Sequence, residues 1–310
     1  MTRKGFSNIL VPLDGSEYAE QAVSVGASLA RRSAGTVRLV SVEQPLPALA
    51  LPSEALLAAG EVELEIRAQT TGYLDSVAKG VERVQGGTVE TAVLDGPVAP
   101  ALQAHAAEHG IDLVVMTTRG RGGMSRWLMG SVADQLLRRI TVPVLLLHPR
   151  ELPQPTEFRR VLVALDGEIE AEVLDPAIAL GSLDPAARYT LTRVVEPAIP
   201  ILTPLALYPT KPGRHYTDRL VNEAWDYLAG VCQKLAASGI EATYKVLVGR
   251  GIAEQVLELA GATGVDCIAV GTHGARGAER VVVGSVADKI IRGADVPVLI
   301  GPVRRAGVGT

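Results

Sequence analysis

Two tandem α/β domains, each a five-stranded parallel sheet covered by helices on both faces, are the fold class that this sequence predicts. Three observations predict it. Strand-like runs alternate with helical segments along the whole chain. Several of those runs, such as NILVPL, DLVVMT and CIAV, are continuously apolar, as strands buried on both faces are. Finally, DLVVMTTRGRGGMSRWLMGSVADQLLRRITVPVLLL (112–147) recurs as DCIAVGTHGARGAERVVVGSVADKIIRGADVPVLI (266–300). The two copies keep an ungapped offset of 154 from Asp112/Asp266 through Gly120/Gly274 and Gly130/Gly284 to Pro143/Pro297. A repeat of about half of 310 residues means two copies of one domain.

In chain order, residues 8–13 form a first strand that ends at Asp14-Gly15-Ser16-Glu17, a turn with helix-start residues. A helix over 17–32 follows, closed by Ser33-Ala34-Gly35, then a second strand over 37–42. Pro45, Pro47 and Pro52 exclude regular structure before Ser53. Ser53 reads as an N-cap of a long helix to Val84, with Gly60 and Gly72 as weak points. Strand three is 88–96 and the next helix is 98–110, with Pro100 tolerated in its first turn. Strand four is 112–117, a glycine loop spans 120–130, a helix covers 131–139, and strand five is 142–148. The second half replays this order: strands at 160–167, 189–194, 242–249, 267–270 and 296–301, with helices to Leu180, over 217–237 and 252–261, and from Ser285. Its early elements sit at offset 152 (Asp14/Asp166, Val42/Val194), so two residues of length difference fall in the middle connection. The predicted domains are 1–149 and 158–304, joined by a proline-rich linker at 150–157.

A net charge of −4 without a basic run argues against nucleic acid as a partner. No stretch of 18 apolar residues predicts a membrane span, and the N-terminal apolar run is too short for a secretory signal. Cys232 and Cys267 form no CxxC pair and read as two buried free thiols, which with the foregoing predicts a cytoplasmic protein. His105 and His109 share one helix at i, i+4 but lack further ligands, so no metal site is predicted.

The chemistry concentrates in the glycine loop. Gly271-x-x-Gly274, nine residues, then Gly284-Ser285 brings backbone N–H groups close to an anion, with a helix N-terminus behind them. No GxxxxGK[ST] string occurs, no GxGxxG follows the first strand of either half, and no GxSxG elbow or kinase string is present. Open parallel sheets bind ligands beyond the carboxyl ends of their strands, where the strand order reverses, so the turns at Asp14, Asp166 and the two loops share one side.

On these residues the chain resembles the universal stress protein family, in its ATP-binding branch, over nearly its whole length. That resemblance implies a Rossmann-like five-stranded domain of the adenine nucleotide alpha hydrolase-like type, present twice. It implies ATP, with magnesium, held on the loop, an aspartate near the nucleotide and a valine after strand two near the adenine. The implied contacts are Asp14, Val42, Thr117, Gly120, Gly130, Ser131 and Val132 in the first repeat. Asp166, Val194, Gly271, Gly274, Gly284, Ser285 and Val286 are their counterparts in the second. The first repeat departs from the pattern, with Thr117 in place of a glycine and Arg119 where the second has His273. Glu168 stands where the first has Ser16, adding a negative charge beside the expected phosphates. The last strand of each repeat resembles the edge through which family members pair, which implies intramolecular pairing of the repeats and is compatible with a further homodimer.

Plainer readings compete. Ser131 and Ser285, each followed by Asp134 or Asp288, match a helix capping box. Asp14 and Asp166 suit a strand-to-helix turn, and Arg121, Arg126, Arg276 and Arg280 suit a solvated loop. At the level of function the leading expectation is a regulatory, stress-response ATP-binding protein without a catalytic residue. An ATP-using enzyme and an interaction module with a vestigial first site are the alternatives. The proline-rich passage 197–212 reads as a stiff surface connection.

Overall fold

The computed structural model describes residues 5–44, 53–118, 129–149, 154–167, 170–197, 214–272 and 283–302. It divides into two compact units, whose main spans are Arg3–Thr156 and Glu157–Gly301. The N-terminal unit runs β1 (Asn8–Pro12), α1 (Glu17–Arg32), β2 (Thr36–Glu43), α2 (Ser53–Val84), β3 (Thr88–Asp95), α3 (Val98–Glu108), β4 (Leu113–Thr117), α4 (Ser131–Leu137), β5 (Val144–Leu147). The C-terminal unit repeats it as β6 (Arg160–Ala164), α5 (Glu170–Gly181), β7 (Arg188–Val195), α6 (Arg214–Ala237), β8 (Ala242–Val248), α7 (Ile252–Thr263), β9 (Cys267–Val270), α8 (Ser285–Gly293), β10 (Val298–Ile300). Strand order is β3-β2-β1-β4-β5 in the first unit and β8-β7-β6-β9-β10 in the second. The pairs β1–β2, β1–β4, β2–β3 and β4–β5 are parallel, as are β6–β7, β6–β9, β7–β8 and β9–β10. This is the α/β class expected from the sequence.

Burial follows the apolar runs. Every residue of β4, β5, β9 and β10 is buried, whereas the edge strands β3 and β8 alternate between half-buried and exposed. Strands five and ten are shorter than expected because Pro143 and Pro297 cannot donate to a ladder. Their carbonyls still accept, from Val114 N–H at 3.0 Å and Ile268 N–H at 3.0 Å, and the strands begin one residue later. Helix α2 runs unbroken through Gly60 and Gly72, and an added Cβ at either glycine meets nothing within 4 Å. Cys267 is buried, and burial pushes its thiol up to about 12; Cys232 is half-buried.

Local chemistry sets the ends of α1. Ser16 Oγ accepts from the Ala19 N–H at 3.2 Å, Glu17 and Glu20 occupy the positive end of the dipole, and Arg31 and Arg32 the negative end. Its apolar face, including Ala22, Val25 and Leu29, is buried. The exit is tight: Ala34 adopts φ 53, and Gly35 N–H reaches back to the Ala30 carbonyl at 2.8 Å. A Cβ on Gly35 would lie 2.3 Å from the Ser7 carbonyl oxygen, itself bonded to the Thr36 N–H. Gly35→Ala is therefore expected to destabilise the protein by about 2 kcal/mol or more. Ala34→Gly, which relieves a left-handed alanine, should stabilise it by about 0.5–1 kcal/mol. Urea unfolding of both variants checks the two opposite signs.

Candidate nucleotide site

The strand order reverses between β1 and β4 in the first unit and between β6 and β9 in the second, and both crevices open at the strands' carboxyl ends. Register aligns the candidate residues there. Pro12 pairs with Val40 and Leu10 with Val114, so two steps past Pro12 the row is Val42, Asp14, Thr118. Ala164 pairs with Thr192 and with Val270, which gives the matching row Val194, Asp166, Thr272. Thr117 and Gly271 precede Thr118 and Thr272 by one residue. The fold thus brings together positions separated by more than 100 residues in each repeat.

Each loop is closed at its neck by one backbone bond. Gly130 N–H donates to the Thr118 carbonyl at 2.8 Å, and Gly284 N–H donates to the Thr272 carbonyl at 2.7 Å. Sequence reasoning missed Thr118 and Thr272, although their identity at offset 154 was the available signal. Both side chains are buried, as is that of Thr117. Gly120, Gly274, Arg119, His273, Glu168 and the four loop arginines lie outside the described residues.

The capping reading needs correction. Gly130 and Gly284, not the serines, are the N-caps, and among the described residues neither helix receives a side-chain cap. Asp134 and Asp288 stand at the fourth helical position, one beyond a capping box, and instead bind Arg138 (2.8 and 2.9 Å) and Arg292 (2.8 Å) on their own helices. Ser53 is likewise already the first helical residue of α2. The consequence is chemical: Ser131 and Ser285 are exposed at the first helical position, and the first-turn N–H groups are capped by no side chain among the described residues. Val132 and Val286 follow, half-buried.

Asp14 has a turn role beside any other. Its Oδ1 accepts from Ser16 N–H at 3.0 Å and Ser16 Oγ at 2.6 Å, while Gly15 takes φ 76. Asp166 is half-buried and is followed by Gly167 at φ 102. Val42 and Val194 are half-buried at the ends of β2 and β7.

Among the described residues no group of three or more metal-ligating side chains occurs. His105 and His109 instead stack, with ring centroids 4.0 Å apart. Burial, then the neighbouring His109 and Arg38, hold His105 below the ordinary imidazole value. The unfolded chain takes up a proton near pH 6.5, while the folded state resists doing so until lower pH. Stability from this site is therefore complete above about pH 6.5 and falls as the pH drops toward the lowered value. A His105→Leu variant should lose less melting temperature than the parent between about pH 7.5 and about pH 5, which thermal unfolding at both values checks.

A parallel α/β unit with a glycine-necked loop at its switch point, present twice, defines a tandem doubly wound α/β protein. The profile of the Universal stress protein family matches residues 5–148 and again 157–302, and the chain belongs to that family. It is 29% identical over 288 residues to a universal stress protein of Mycobacterium bovis, covering 89% of this chain and 92% of the relative. A universal stress protein of Methanocaldococcus jannaschii is 29% identical over 143 residues, or 45% of this chain and 81% of that one. Among solved structures, a universal stress protein from Archaeoglobus fulgidus superposes with a TM-score of 0.64 at 18% identity, covering 95% of this chain and 96% of its own. A functionally unknown protein from Pseudomonas aeruginosa gives 0.60 at 16%, with 97% and 94% covered. These two likenesses concern the fold. No helix among the described residues is long and apolar enough to cross a membrane.

Proposed function

We propose that the chain is a cytoplasmic ATP-binding protein with a regulatory role in stress response, taking ATP with magnesium at the crevice of each unit. The observation that carries this reading is the shared row at both switch points, Val42–Asp14–Thr118 and Val194–Asp166–Thr272, beside a loop closed on Gly130 or Gly284. First-turn N–H groups behind a glycine cap and the exposed hydroxyls of Ser131 and Ser285 are suited to phosphate oxygens. Asp14 and Asp166 stand where a ribose or base would be oriented, and Val42 and Val194 offer an apolar edge to the base. Gly271 leaves the second crevice without a side chain at the strand end, where the first carries Thr117, so the second is the tighter site. Occupancy changes the stability of the units and the surface that a partner meets.

The test is direct. Protein purified without added nucleotide is denatured, and released small molecules are identified by mass spectrometry; ATP at up to two equivalents per chain is expected. Thermal unfolding with Mg-ATP should show a rise that grows with ligand concentration. A chain that releases no nucleotide and shows no shift would remove this reading.

A further inference from the structure

The two crevices differ in one charged side chain that the loop motif does not include. At the end of β7, next to Val194, stands Arg193; its counterpart at the same offset of 152 is Ser41, which is buried. The Arg193 guanidinium packs on the turn of the proposed site. A Cβ built on Gly167 would meet its Nη1 at 2.8 Å and its Cζ at 2.9 Å, so the absence of a side chain there admits the cation. On its other flank the Cζ lies 5.5 Å from the centre of the Tyr227 ring, a cation–π arrangement. The repeat of that tyrosine, Tyr73, instead donates its hydroxyl to Glu20 at 3.0 Å. The turns differ in sequence: Ser16 donates to Asp14 within the first, whereas the same position carries Glu168 in the second repeat.

We propose that Arg193 is a specificity-determining residue of the C-terminal crevice, a fixed cation on the Asp166–Gly167 turn that selects anionic nucleotides over neutral nucleosides. This inference rests on the reading of the site given above. The chain has no phosphate-loop lysine. The Arg193 guanidinium fits its planar faces between the Gly167 backbone and the Tyr227 ring. It offsets the Asp166 carboxylate at the crevice mouth, which would otherwise repel a polyphosphate. In the first unit the equivalent strand position carries the neutral Ser41, so that crevice discriminates less.

Full-length chain carrying Gly130→Val, in which the C-terminal crevice reports alone, is titrated with ATP and with adenosine by calorimetry at low and high salt. Adding Arg193→Met, of similar bulk without charge, should weaken ATP about tenfold, leave adenosine within about twofold, and flatten the salt dependence. Arg193→Lys should restore ATP to within about threefold, since charge rather than shape is decisive. ATP affinity kept within about twofold in Arg193→Met overturns the role of Arg193 and leaves the site reading intact. Equal weakening of ATP and adenosine also overturns it, because the arginine then only props the turn. A parent chain that binds neither ligand overturns both readings.

Discussion

A Gly284→Val chain is expected to fold as its parent does and to lose most of the stabilisation that Mg-ATP gives the C-terminal unit. The backbone permits the change. Gly284 adopts φ −59 and ψ 149, an extended conformation open to any residue, so no strain arises from the substitution itself. Its N–H still reaches the Thr272 carbonyl and its own carbonyl still accepts from Asp288 N–H, at 2.7 and 2.9 Å. What changes is the space before the first turn of α8, where two methyl groups are added beside the first-turn donors. Ligand at about 100 times its Kd adds about 2.7 kcal/mol to folding, and a hundredfold loss of affinity leaves roughly 0.4 kcal/mol. Scanning calorimetry with and without Mg-ATP reads that difference directly. An unchanged shift would place the ligand elsewhere. Gly130 has nearly the same geometry, φ −62 and ψ 151, so Gly130→Val is the matching control for the first crevice.

That test is available because the site was partly legible in the sequence. Strand-turn-helix order, the offset repeat and the glycine spacing put Asp14 on the same sheet edge as Gly130, and Asp166 on the same sheet edge as Gly284, since a parallel sheet carries every such turn on one edge. What stayed hidden were features set by one-residue shifts and by contacts across strands. Ser-x-x-Asp satisfies the local rule for a capping box, yet the helix starts one residue earlier, because an extended glycine serves as cap and each aspartate finds an arginine one turn on. The necks at Thr118 and Thr272 use only main-chain atoms, so the recurrence of threonine at offset 154 marks the position without specifying the bond. Arg193 is visible as a charged residue in a strand end, but its approach to Gly167 and Tyr227 depends on the neighbouring turn and helix, which no local pattern encodes.

The opposite end of each sheet carries a different constraint, and removing it should affect stability without touching the ligand. Asp112, just before β4, binds the entry to β1: one carboxylate oxygen accepts from Ser7 N–H at 2.8 Å and Ser7 Oγ at 2.9 Å, the other from Asn8 N–H at 2.9 Å. Its own N–H donates to the Asn8 carbonyl at 2.9 Å. Asp266 repeats the device, accepting from the N–H groups of Arg159 and Arg160 at 3.0 and 2.8 Å and from the Arg160 guanidinium at 3.0 Å. Asp112→Ala leaves two half-buried N–H groups and a hydroxyl without their charged acceptor, at a cost of about 3 kcal/mol. Asp112→Asn keeps one acceptor oxygen but turns an NH2 toward a donor, so it should recover only about 1 kcal/mol of that loss. For a unit of this size, 3 kcal/mol lowers the melting temperature by roughly 8 °C. The ATP affinity of Asp112→Ala should match the parent's at temperatures where both are folded, because a strand of five residues separates this end from the crevice by roughly 16 Å. Calorimetric unfolding and ATP titration of the same variant separate the two quantities, and a melting temperature within about 2 °C of the parent's would show that the carboxylate is dispensable for the fold.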